Sequence, residues 1–234
     1  VKINGQLDLK ALELSLQLII HRHEVLRTTF ITKEGKPTQE IHPDLQISIE
    51  ITDISTEIKD LDGAAEIEQV IHSLGRKEVQ KPFDLEHGPL LRARVFRMDP
   101  FDHILILTTH HIISDGWSLG IFVRELTQSY QVFVGLRNSG IDLEEEENLL
   151  DKIDYQENNV LSDHKIQYAD YSEWQRDWLQ GDILDSQLEY WREQLKNLPP
   201  VLELPTDKPR PALKTSAGAT HKFIFENELS SKIL

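Results

Sequence analysis

Apolar residues at Leu9, Leu12, Leu16, Ile19, Ile20 and His23 recur along one face at helical spacing, and Asp8 stands where an N-cap belongs, so a core-packed helix starts there. The spacing then changes to strand-like. Thr28 to Thr32 and Gln46 to Ile51, the latter with alternating Ile47, Ile49 and Ile51, predict strands around a tight Glu34-Gly35-Lys36 turn. Ile67, Val70, Ile71 and Leu74 mark a second amphipathic helix. Next, Leu91, Ala93 and Val95 alternate with Arg92 and Arg94, and Asp99-Pro100-Phe101-Asp102 turns the chain into His103 to His110, a strand apolar on both faces and therefore central. A third helix follows Asp115-Gly116, with Leu119, Phe122, Val123, Leu126, Tyr130 and Phe133 on one face.

Two further helices are predicted at Tyr168 to Leu179 and Ile183 to Leu195, carrying Trp174, Trp178 and Trp191. Pro199, Pro200, Pro205, Pro209 and Pro211 then form a stiff connector, Thr220 to Phe225 reads as a strand, and Glu226 to Leu234 begins a helix. Interleaved helices and strands predict an α/β fold, a two-layer mixed β-sheet with packed helices.

Composition narrows the chemistry. The 234 residues, 39% hydrophobic and 28% charged, are those of a globular protein without an apolar run of membrane-spanning length. The sequence opens at Val1-Lys2-Ile3 without a signal-like segment, which favours a cytoplasmic location. With no cysteine there is neither a disulfide nor a thiolate nucleophile. A net charge of -15 argues against nucleic acid and anionic membranes as partners. Eight acids between Asp142 and Glu157, against Lys152 alone, supply 7 of those 15 charges and read as a solvated insertion at about 140–165.

The polar residues of catalytic interest converge on His110-His111-Ile112-Ile113-Ser114-Asp115-Gly116-Trp117-Ser118, where a buried strand gives way to a helix. Strand alternation would send His110 and His111 to opposite faces, so one acts and the other packs. Asp115 can hold the loop through an ion pair, and Gly116 offers an unobstructed backbone N–H. Two coincidental motifs fall away. Gly116-Trp117-Ser118-Leu119-Gly120 spells a nucleophile elbow without the parallel-sheet setting, acid and late histidine such an elbow needs. His23-Glu24 lacks the second zinc histidine because Arg27 occupies its place, and the sequence offers no metal site.

The string from His110 to Gly116 resembles the HHxxxDG signature of condensation domains of nonribosomal peptide synthetases and of chloramphenicol-acetyltransferase-like acyltransferases. Arg22-His-Glu-Val-Leu-Arg27-Thr-Thr-Phe30, Pro82-Phe-Asp-Leu85 with Gly88-Pro-Leu-Leu-Arg92, Tyr168-Ala-Asp-Tyr-Ser-Glu-Trp174, and Leu204 to Pro211 are similar to further condensation-domain segments, in the family's order. The resemblance implies a chloramphenicol-acetyltransferase-like lobe at 1–198, the connector at 199–218 and the start of a second lobe at 219–234. The family's opening motif and C-terminal motifs are absent.

It implies, too, amide formation between a donor thioester and an aminoacyl acceptor, both on phosphopantetheine arms of carrier domains, with no cofactor bound by the domain itself. Its other implied partners are the C-terminal lobe and an adjacent adenylation domain. The resemblance makes His111 the expected catalytic residue, as base or as a group positioning the amine, and the Gly116 N–H a candidate oxyanion donor. It implies that His110, Asp115, Arg22, Arg27 and Trp174 support the site, with Asp115 expected to pair with Arg27 or Arg22. Ser114, Trp117 and Ser118 are substrate-tunnel candidates. The alternatives are a free-standing coenzyme A-dependent acyltransferase and a non-catalytic half-domain that only binds carrier or neighbouring domains.

Overall fold

The computed structural model describes residues 1–61, 63–144, 164–209, 212–213, 221 and 223–233. The chain divides into two compact units, Val1–Gln180 and Gly181–Leu234. In the first, β1 (Lys2–Asn4) leads into α1 (Leu9–Arg22), a 3-10 turn (Glu24–Arg27), β2 (Thr28–Lys33), β3 (Lys36–Ile41) and β4 (Ile49–Asp53). After these come α2 (Ser55–Ile58), α3 (Ala64–Val79), β5 (Leu91–Asp99), β6 (Asp102–Thr109), α4 (Gly116–Asn138) and α5 (Tyr168–Trp178). The second unit holds α6 (Gly181–Gln194) and α7 (Asn227–Ile233).

Helix α1 starts where the sequence places it, because the Ala11 N–H donates to Asp8 Oδ1 at 3.0 Å and satisfies one of the orphan donors of the first turn. Its stripe of Leu12, Leu16, Ile19 and Ile20 is buried against α4 and the sheet. The sheet runs β1-β6-β5-β4, with β6 antiparallel to β1 and β5 and with β4 parallel to β5. It is mixed, and β6 is internal, as an all-apolar strand requires.

Leu91, Ala93 and Val95 of β5, with Leu105 of β6, share one core with α1 and α4. The other face carries α3, where an added Cβ on Gly75 would meet Ile106 Cδ1 at 3.3 Å. Arg92 and Arg94, which alternate with those apolar residues, are therefore not simply solvated. They converge on the buried Glu78 of α3, Arg92 Nε at 3.1 Å and Arg94 Nε at 3.2 Å.

Three local expectations change. The partner of β2 is β3, not the isoleucine-rich segment: Glu34 (φ 53) and Gly35 (φ 76) form a two-residue left-handed turn that sends the chain straight back. Polar residues dominate Lys36-Pro-Thr-Gln-Glu-Ile41, so it has no apolar alternation to read, and Ile49–Asp53 is freed to pair in parallel with β5. Residues 221 and 223–226 form no strand, and Phe223 and Ile224 are exposed. The acidic stretch is anchored at its start, where Leu143 is buried with Phe133 and Glu144 accepts from Arg137 at 3.1 Å; residues 145–163 lie outside those described.

Candidate active site

Strand β6 ends at Thr109, one residue before the histidine pair, so strand alternation does not separate His110 from His111; hydrogen bonding does. The Ile112 N–H donates to His110 Nδ1 at 3.0 Å, and the His110 ring stands edge-on to Phe83, 5.9 Å between centroids. Phe83 in turn lies under the Arg92 guanidinium at 3.8 Å. His110 is thus held by packing and a backbone hydrogen bond.

The His111 side chain is exposed, and its Nδ1 lies 3.0 Å from the Ser114 carbonyl oxygen. A carbonyl only accepts, so Nδ1 carries the proton and the neutral ring keeps its lone pair on Nε2. This is the form a general base needs. Ser114 holds the loop from inside, with its Oγ 2.6 Å from Thr109 Oγ1.

Asp115 does not meet Arg27 or Arg22. Instead it caps α4: the Ser118 N–H donates to Asp115 Oδ1 at 2.8 Å and the Asp115 N–H donates to Ser118 Oγ at 2.7 Å, a reciprocal capping box. Hydrogen bonds from Ser118, first from its side chain and then from its backbone, hold the exposed Asp115 carboxyl below the usual aspartate range. The Ser118 N–H and hydroxyl, both donating to Asp115 Oδ1, supply what an ion pair was expected to supply. Arg27 turns the other way, to Glu24 and the His42 carbonyl, each at 3.4 Å. Gly116 opens α4, and among the described residues its N–H has no acceptor, one of the orphan donors of a helix start.

These residues enclose one side of a cavity of about 330 Å³. Thr109, His111, Ser114, Asp115, Gly116 and Ser118 form its polar rim; Leu26, Leu91, Leu107, Ile113 and Phe122 form its apolar wall. Of the three tunnel candidates, Ser114 and Ser118 line it, whereas Trp117 is 83% exposed and does not. A shaped apolar cavity with a few convergent polar groups is the form of a small-molecule site.

Residue order and geometry now agree with one family. The Condensation domain profile matches residues 1–140 and 152–234. The chain belongs to the condensation-domain family. Its relatives in that family include a linear gramicidin synthase of Brevibacillus parabrevis, 41% identical over the whole chain, and bacitracin synthase 3 of Bacillus licheniformis, 34% identical. The chain spans 4% and 3% of those two proteins. Among solved structures, the X-domain from teicoplanin biosynthesis superposes with a TM-score of 0.68 at 26% identity, covering 91% of this chain and 41% of that one. The epimerization domain from the third module of tyrocidine synthetase B shares the fold, with a TM-score of 0.64 at 22% identity over 89% of this chain and 40% of that one.

Within this condensation-domain fold the expected support residue Trp174 does not touch the cavity. It is 55% exposed and stacks on Trp178 at 5.6 Å, with their planes 10° apart. The link from α5 to the site runs through Gln167, whose Nε2 donates to the Arg22 carbonyl at 3.0 Å and whose Oε1 accepts from the Glu24 N–H at 3.2 Å.

His23 and Glu125, to which the sequence assigned no role at the site, meet the expected support residue Arg22 beside the cavity. His23 lines it, and its Nε2 is 2.6 Å from Oε2 of the buried Glu125 on α4. Arg22 donates to Glu125 Oε1 at 3.3 Å. Burial acts to raise the Glu125 carboxyl, but the His23 hydrogen bond and the His23 and Arg22 charges outweigh it and leave the group below the ordinary glutamate range. The signal was present: Glu125 sits three residues after Phe122 and beside Leu126, on the buried stripe of α4, and a charge there requires a buried partner. Among the described residues no helix is long and apolar enough to cross a membrane.

Proposed function

We propose that this chain supplies the histidine-bearing lobe (1–198) of a cytoplasmic peptide-synthetase condensation domain, leading through 199–218 into a second lobe. It would join a carrier-bound aminoacyl or peptidyl thioester to a carrier-bound aminoacyl acceptor. The observation that carries this reading is the His111 Nδ1–H bond to the Ser114 carbonyl, which leaves the Nε2 lone pair available at a cavity rimmed by the unpaired Gly116 N–H. An α-ammonium loses its proton at roughly 7.7 to 8, within reach of an imidazole base.

His111 Nε2 takes a proton from the acceptor's ammonium, or orients the already neutral amine. The amine nitrogen attacks the thioester carbon, and negative charge gathers on the former carbonyl oxygen, where the Gly116 N–H donates. That attack forms the C–N bond, and collapse of the tetrahedral intermediate restores the carbonyl and breaks the C–S bond; the proton still to be lost from the nitrogen passes to the leaving phosphopantetheine thiolate, and the one held by His111 returns to solvent. No covalent acyl-enzyme is needed. Carrier domains bring both substrates, the second lobe completes the enclosure, and an adenylation domain loads the acceptor's carrier.

The test is dipeptide formation from loaded carrier proteins, read by mass spectrometry, in a synthetase carrying this chain. His111→Ala should fold normally and lose roughly 100-fold or more of its transfer rate. Near-normal transfer by folded His111→Ala would remove the catalytic assignment. Equal turnover with soluble acyl-coenzyme A in place of the donor carrier would move the chain to the free-standing acyltransferases.

A further inference from the structure

Beside the cavity, three ligand-type side chains converge from separate parts of the chain. His23 is the C-cap of α1, Glu125 lies mid-way along α4, and His164 precedes α5. Their ligating atoms all lie within 4.8 Å of one another. We infer that His23, Glu125 and His164 form a binding site for a divalent transition-metal ion of the zinc class.

The donor set is two imidazoles and one carboxylate, which suits zinc, cobalt or nickel and is poor for calcium or magnesium, whose preference is for oxygen. Arg22 occupies Glu125 Oε1, leaving Oε2, the oxygen that faces His23, for a single bond to the ion. An outer-shell cation holding the second oxygen of a ligating carboxylate is a common way to orient it. At metal–ligand bonds of about 2.1 Å in a tetrahedron, ligand atoms stand about 3.4 Å apart, so the widest separation must close by about 1.4 Å and the 2.6 Å hydrogen bond between His23 Nε2 and Glu125 Oε2 must open by about 0.8 Å as the ion replaces its proton. His164 is exposed, with its ring tilted 52° from that of His23 at 4.7 Å between centroids, and His23 is the C-cap of α1, so side-chain rotations of the two histidines can provide these movements.

Arg22 and His23 together balance the Glu125 charge, and His164 brings a third ligand-type atom to the same point. Because His23 also lines the cavity that contains His111, an ion held here would form part of the cavity wall.

Binding can be read without substrate or carrier and so does not depend on the condensation reading. The full chain, stripped with a chelator, is titrated with cobalt chloride while the visible d–d bands are followed, then challenged with zinc chloride. One equivalent should bind with bands of a nitrogen- and oxygen-ligated ion, and zinc should displace it. His164→Phe, which keeps a ring against His23 but removes both nitrogens, should weaken binding by more than the roughly 10- to 100-fold that follows loss of an outer-shell partner. His72→Ala, at an exposed histidine paired with Glu68, should bind like wild type. Absence of ligand-field bands in the folded wild-type protein, or equal binding by His164→Phe, would overturn the assignment.

Discussion

At the scale of single residues, the two neighbouring histidines are divided by their hydrogen bonds. His110 accepts at Nδ1 and packs on Phe83; His111 donates from Nδ1 and keeps Nε2 free. The HHxxxDG spelling made the pair legible, but the alternation argument for separating them rested on a strand that stops at Thr109. Asp115 shows the same limit. Its spacing to Ser118 is that of a capping box and could be read from sequence, although its charge fits an ion pair with Arg27 or Arg22 equally well on sequence alone. Since Asp115 and Arg27 share no partner, Asp115→Ala and Arg27→Ala should each lower the melting temperature, and the double mutant should lose the sum. Asp115→Asn should recover most of the loss, because asparagine caps nearly as well. A double mutant that melts no lower than Asp115→Ala would restore the ion pair.

At the scale of elements, α1 and α4 are joined by the Arg22–Glu125–His23 contact as well as by their apolar stripes. Glu125→Ala strands Arg22, whose side chain is 10% exposed, and should cost on the order of 3 kcal/mol by urea denaturation. The Glu125 carboxyl ordinarily titrates near 4.5 and is held lower in the fold. Its contribution is therefore complete above about 4.5 and is lost as pH falls through the lowered folded value. Melting temperature should drop over that acidic window in wild type and change less in Glu125→Gln; equal slopes would contradict the linkage. Helices with clean periodicity were legible from sequence. What escaped was β3, a strand of polar residues defined by its partner and by a left-handed turn, and the parallel pairing of β4, which no local pattern encodes.

On the scale of the molecule, every buried hydrophobic residue among those described lies between Ala11 and Leu143, inside the first unit. A chain ending at Gln180 should therefore retain a cooperative thermal transition, followed by circular dichroism; a broad, non-cooperative melt would show that the core needs the second unit. The internal strand β6 also imposes an order of events on biosynthesis. Its hairpin with β5 forms locally, but β1 pairs Lys2 with Ile104, so β1 waits for a partner about a hundred residues later. At about 5 to 20 residues per second, β1 spends roughly 5 to 20 seconds as an unpaired edge with an amphipathic helix behind it. Synonymous codon changes that slow translation between α1 and β6 would lengthen that exposure, and chaperone demand would follow the ribosome's pace rather than the stability of the finished fold.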